Sequence, residues 1–152
     1  MGIKEKLRND LTDAIRARDE LSSGTIRMVL SAITNEEVAG KSARELSEAE
    51  VIAVLSRETK KRREAAEAFD LGQRPERAAL ERAESEVIAK YLPTQLSGEE
   101  LQKLIADAIA ETGASGPAGM GLVMKVLSPK IAGKADGGAV SAAVKAALLS
   151  VL

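Results

Sequence analysis

The densest basic cluster in the chain is Lys60-Lys61-Arg62-Arg63, with Arg57 one helical turn earlier. Cations at that spacing could track a phosphate backbone, where affinity comes from neutralised phosphates and released counterions. Glu58, Glu64 and Glu67 stand within helical reach and offset much of the charge. The run is expected to be a solvated mixed-sign face, with phosphate contact as a secondary use.

A second candidate lies beyond Thr112, where Lys125, Lys130, Lys134 and Lys145 face one acid, Asp136. The glycine-rich span from Gly113 to Gly121 opens a helix there, and free amides at a helix N-terminus bind phosphate. The span lacks the Gly-Lys-Ser/Thr ending of a Walker loop and follows no strand, so it is neither a P-loop nor a dinucleotide fingerprint. Read from its residues alone, it is a tight connection between helices.

Other groupings carry less chemistry. The chain has no Cys and no His, which removes thiol nucleophiles, thiolate metal sites and the commonest general base. Ser56 with Lys60, and Ser141 with Lys145, are spaced like dyads, but a lysine base must be buried, and neither pair sits on an apolar stripe. Glu81, Glu84 and Glu86 are flanked by arginines and are expected to pair with them rather than hold a metal. Phe69 and Tyr91 stand at the ends of apolar stripes as core candidates, which leaves no stacking platform for bases. No catalytic residue, metal or cofactor is expected.

Helical periodicity organises the rest. Ile3, Leu7, Leu11, Ala14 and Ile15 mark a first helix running to about Asp19. Ser22 or Ser23 would cap a second, whose stripe is Ile26, Val29, Leu30, Ile33 and Val38, ending at Gly40. Ser47 and Glu50 have capping-box spacing and open a long third helix that stops at Gly72. Its middle, residues 57–67, is polar, with Ala65 and Ala66 as its core candidates. Pro75 starts a fourth, with Leu80, Ala83, Val87, Ile88 and Leu92 as its stripe, ended by Pro93. The stretch 93–96 is a linker expected to be held by few hydrogen bonds. Ser97 and Glu100 form a second capping-box pattern before Leu101, Leu104, Ile105, Ala108 and Ile109, and Gly113 closes that helix. Pro117 starts the next, with Met120, Val123, Met124 and Leu127. Asp136 caps a last one carrying Val140, Val144, Ala147, Leu148 and Val151.

These elements describe an all-α protein: four helices in an N-terminal lobe, 1–93, and three in a smaller C-terminal lobe, 97–152. Apolar residues make up 45% of the chain and aromatics 1%, so the core must be aliphatic and alanine-rich, suited to close helix packing rather than to strands. The charged N-terminal stretch is unlike a signal peptide, no run is long enough to span a bilayer, and a cytoplasmic location is expected.

Several stretches stand together in order: residues 25–33, Thr-Ile-Arg-Met-Val-Leu-Ser-Ala-Ile; the basic helix ending Glu67-Ala68-Phe69; Tyr91-Leu92-Pro93-Thr94-Gln95-Leu96-Ser97; Met120-Gly121-Leu122-Val123-Met124; and Pro129-Lys130 through Gly133-Lys134-Ala135-Asp136-Gly137. In combination they resemble the GatB/YqeY family over essentially the whole chain. The resemblance implies an all-helical fold in two lobes. Similar domains form the C-terminal tail of the B subunit of the glutamine-dependent tRNA amidotransferase, where they contact tRNA. Others are appended to glutaminyl-tRNA synthetases as a tRNA-affinity module. This chain has Leu122 where the family often has a basic residue and Gly119 where Asp is common, which removes one contact and leaves Lys125, Lys130 and Lys134. The resemblance thus implies a non-catalytic module binding tRNA or another structured RNA through Lys125, Lys130, Lys134 and the backbone at Gly119 and Gly121. An adaptor for an amidotransferase or aminoacyl-tRNA synthetase is the alternative. A carbon–nitrogen ligase using glutamine as amido donor ranks third, and no membrane partner is expected.

Overall fold

A computed structural model describes residues 2–151; Met1 and Leu152, the ends of the two expected lobes, lie outside it. The described residues contain seven α-helices, one 3-10 turn and no strand. No helix among them is long and apolar enough to cross a membrane. They divide into two compact units, meeting in sequence between Leu92 and Pro93.

The N-terminal unit holds α1 (Ile3–Arg16), α2 (Glu20–Glu37), α3 (Glu48–Leu71) and α4 (Pro75–Ala89). Its core joins Leu7 of α1, Ile26, Val29 and Ile33 of α2, Val51, Val54 and Leu55 of α3, and Val87 and Ile88 of α4. The start of α1 is capped from a distance, its Ile3 amide donating to the Glu48 carboxylate at 2.8 Å. Ser47 and Glu50 form the full capping box. Hydrogen bonding from Arg44, reinforced by the Ser47 amide, holds the Glu50 carboxyl down at about 2.

Helix α2 begins earlier than its serines suggest. Asp19 is the cap, accepting from the Ser22 amide at 3.0 Å, with Ser22 Oγ donating to its second oxygen at 2.7 Å. Ser22, Ser23 and Gly24 therefore lie inside the helix, and Ser23 is buried. The turn before it closes tightly because Arg18 takes a left-handed backbone, φ 58°. The other end stops at Glu37, which leaves Val38 exposed rather than on the core stripe.

Beyond Leu55, α3 leaves the four-helix core and runs on as a hairpin with α4, the most extensive helix pair in the chain. Ala66 and Ala78 are fully buried there, and small side chains let the helices come close. Ala78 thus takes the inward place expected for Leu80, which is exposed. Phe69 is half-buried under the Arg77 guanidinium, 5.6 Å from its ring centre. Tyr91 is also half-buried, its hydroxyl donating to Asp10 at 2.5 Å and its ring facing the Lys6 ammonium at 5.5 Å. Burial, and then Asp10, raise its phenol above the usual range. Tyr91 lines the edge of the core, whereas Phe69, expected there, lies beyond it on the hairpin; each ring faces a cation.

Thr25 is an exception to the satisfied polar interior. It is 1% exposed, and its hydroxyl has no partner among the described residues. A buried hydroxyl without a partner costs about 1–3 kcal/mol of desolvation. Thr25→Val keeps the shape and removes the hydroxyl, so it is expected to raise unfolding stability by about 1 kcal/mol. Chemical denaturation of both proteins checks this; an unchanged or lower midpoint would mean that the hydroxyl is satisfied in solution.

The C-terminal unit holds α5 (Gly98–Thr112), the 3-10 turn Pro117–Gly119, α6 (Met120–Ile131) and α7 (Gly137–Leu149). Ile105 and Ala108 pack with Val123, Leu127, Val140, Val144 and Leu148 in a core built from aliphatic side chains. Ser97 caps α5 through the Glu100 amide at 3.2 Å. The reciprocal half of the expected box differs, because the Ser97 hydroxyl, not its amide, donates to the Glu100 carboxylate at 3.0 Å. Gly113 ends α5 in a left-handed conformation, φ 66°. The linker expected to be loose is tied down: Gln95 Nε2 donates to the Pro93 and Gly133 carbonyls at 2.9 and 2.7 Å, and the Leu96 amide donates to the Lys134 carbonyl at 2.9 Å. Asp136 caps α7, accepting from the Ala139 amide at 3.1 Å.

Candidate nucleic-acid interface

Four of the C-terminal unit's lysines sit on the short helices α6 and α7 and the turn between them, and Lys103 sits on α5. Lys125 is exposed on the solvent side of α6, in line with Gly121 and Ser128 at helical spacing. Lys130 lies in the last turn, where a cation also complements the helix dipole. Five residues separate it from Lys125, about 140° around the helix axis, so the two do not share a face. Lys134 follows in the turn that leads to α7, and its backbone is fixed at both ends: its amide donates to Ile131 and its carbonyl accepts from Leu96. All three are exposed, as are Lys103 and Lys145. No lysine of this unit makes an ion pair among the described residues.

The two glycines expected to present backbone to phosphate behave differently. Gly119 is buried, and its amide donates to the Gly116 carbonyl at 3.0 Å. A Cβ there would lie 2.6 Å from the Cβ of Ala114. Its glycine is thus explained by close packing of the turn, and its amide is already committed, which takes it out of the phosphate site. The Met120 amide is likewise used, by Pro117. Gly121 is exposed, and a Cβ at that position would meet nothing within 4 Å, so no packing demand accounts for it.

The basic cluster on α3 is mostly consumed by its own unit. Arg57 pairs with Glu36 at 3.3 Å and Lys61 with Glu58 at 3.4 Å. Lys60 and Arg63 are exposed. Arg62 overturns the expectation of a solvated face. It is buried between the hairpin helices, bonding Glu58 at 2.8 Å and Glu84 at 3.1 Å, with further contacts to the Glu58 carbonyl and Met28 sulfur. Glu84 therefore answers to an arginine across the hairpin, not to its sequence neighbours. The neighbouring Arg82 reaches Asp70 instead.

Residues of the stretches that carry the family resemblance turn out to hold the fold. Thr25, Ile26, Val29 and Ile33 fill the first core; Tyr91 and Gln95 make fixed hydrogen bonds; Lys134 and Asp136 anchor the linker and cap α7.

The profile of the family described as Yqey-like protein matches residues 4–148. The protein called altered inheritance of mitochondria protein 41, mitochondrial, from Clavispora lusitaniae is 33% identical over 107 residues, covering 69% of this chain and 61% of the relative. Its namesake from Saccharomyces cerevisiae is 33% identical over 110 residues, covering 68% and 58%. The chain thus spans about three fifths of the length of the curated relatives it matches. With a match running through all seven helices, the chain belongs to the Yqey-like protein family.

Proposed function

We propose that this chain is a non-catalytic helical module that binds tRNA or another structured RNA through its C-terminal unit. The observation behind this reading is that Lys125, Lys130, Lys134 and Lys145 are exposed and carry no ion pair among the described residues. A lysine without a carboxylate partner meets phosphate without first breaking a contact. With no aromatic platform beside them, these lysines would read charge and shape rather than sequence.

The test is a binding titration with tRNA at two salt concentrations. Affinity is expected to fall steeply with salt, and Lys130→Glu with Lys134→Glu is expected to weaken binding tenfold or more and reduce the log–log salt slope by about 2. Lys61→Glu with Arg63→Glu serves as the control, since Arg62 cannot be reversed without disturbing the fold, and should change binding less. Wild-type protein that ignores tRNA even at low salt, or a Lys130/Lys134 variant that binds normally, would leave the adaptor reading in its place.

A further inference from the structure

Two of the stretches that carry the family resemblance meet inside the C-terminal unit. Residues 93–96 run beside residues 132–135, the turn that joins α6 to α7. Two successive donors of one stretch reach two successive carbonyls of the other: Gln95 Nε2 donates to Gly133 at 2.7 Å and the Leu96 amide to Lys134 at 2.9 Å. The turn bends through a left-handed Gly133, φ 72°, and the Lys134 amide returns to the Ile131 carbonyl at 2.8 Å. Leu96 and Ala135 are held by packing against the core of the unit, but Gln95 is exposed, so burial does not account for it.

Its hydrogen bonds do account for it. Nε2 also donates to the Pro93 carbonyl at 2.9 Å. A carboxamide nitrogen carries two N–H groups and can serve both carbonyls, whereas the amide turned over would set its oxygen against them. The side chain thus straps residues 93–96 to the turn. Lys125 and Lys130 are carried by α6 and Lys145 by α7, but Lys134 stands outside both helices. No helical ladder directs it, and its carbonyl and the one before it are the two that the strap holds.

We propose that Gln95 is a positioning residue for Lys134, an assignment that rests on the RNA reading for what the lysine meets and on the geometry alone for the strap. A lysine on a loose turn must be ordered when it meets phosphate, which weakens binding without removing a charge. Gln95→Met keeps the length of the side chain and removes its donors. Amide exchange at Leu96 and Lys134 is expected to quicken by about twofold to tenfold, the equivalent of one modest hydrogen bond, with exchange inside α6 and α7 unchanged. Affinity for tRNA at low salt should fall by about twofold to tenfold. In a Lys134→Ala background the same substitution should cost nothing further, because it acts through that lysine. Thr94→Ala, at an exposed neighbour whose side chain has no hydrogen bond among the described residues, is the control and should change neither. Unchanged exchange in Gln95→Met, or equal quickening in Thr94→Ala, overturns the strap whatever the protein binds. Exchange that quickens throughout α6 and α7, or an affinity loss of the same size with and without Lys134, makes Gln95 a residue of the fold alone and overturns the proposal. Quickened exchange with normal tRNA affinity overturns the positioning role and leaves the RNA reading intact. A wild type that ignores tRNA removes that reading, and the positioning role falls with it.

Discussion

Arg62→Ala is expected to destabilise the N-terminal unit by about 3–5 kcal/mol, the range for removing one partner of a buried ion pair. The side chain is 8% exposed and its two carboxylate partners 13% and 16%, so solvent screens the charges poorly. Without the guanidinium, Glu84 loses the one ion pair the structure gives it, and Glu58 keeps only exposed Lys61. The effect should be far larger than that of Lys61→Ala, which removes a surface pair worth about 0–1 kcal/mol. Urea denaturation followed by far-ultraviolet circular dichroism separates the two. Pairing Arg62→Met with Glu84→Leu should recover most of the loss, because a packed apolar pair is often as stable as a buried ionic one. An Arg62→Ala midpoint close to that of Lys61→Ala would show that water reaches the pair in solution.

The next largest effect is expected at Gly119. A methyl group there meets the Ala114 methyl at 2.6 Å and its Cα at 3.4 Å, neither of which can swing aside. Gly119→Ala should therefore destabilise the C-terminal unit by about 1–3 kcal/mol, the usual range for overpacking. Gly121→Ala two residues later should do the opposite. It adds a methyl in open space within α6, and Ala is favoured over Gly in a helix by about 0.5–1 kcal/mol. Thermal unfolding and amide exchange in α6 check the pair. Equal behaviour of the two variants would remove the packing explanation for Gly119. Any RNA affinity lost with Gly119→Ala would then be traced to unfolding, since its amide is already bonded to Gly116.

Features that depend on a few neighbouring residues are the easiest to read from the chain. The Ser47–Glu50 box, the Ser97 and Asp136 caps, Pro75 at a helix start and the Gly113 stop all act within one turn. Sequence and structure part where a distant partner decides the outcome. Ser22 and Ser23 look like caps because serine is a good one, but Asp19 lies one turn earlier and a left-handed Arg18 delivers the chain to it. Leu80 looks like a core residue by type, yet the close approach of α3 and α4 selects Ala78 for the inward side.

Arg62 is the sharpest case among the candidate site residues. Its neighbours in sequence are cations, and the partner that draws it inward, Glu84, is 22 residues away on another helix. Nothing within a helical turn distinguishes it from Lys61 or Arg63. The glycine-rich span is legible as a tight connection, whereas the split between a packed Gly119 and an open Gly121 depends on where Ala114 lies. The lysines emerge from counting charge, but their separation into an α6 face and a turn follows from helix geometry.

The Tyr91–Asp10 contact also determines what optical methods see. Tyr91 is the one tyrosine and there is no tryptophan, so the phenolic emission of the whole chain comes from a single ring in the N-terminal unit. A phenol donating to a carboxylate emits weakly, and unfolding that frees it brightens the signal. The C-terminal unit is dark at those wavelengths, while both units contribute to far-ultraviolet ellipticity. A fluorescence melt is therefore a site-specific reporter on residues 2–92, and any gap between it and the ellipticity melt measures how separately residues 93–151 come apart.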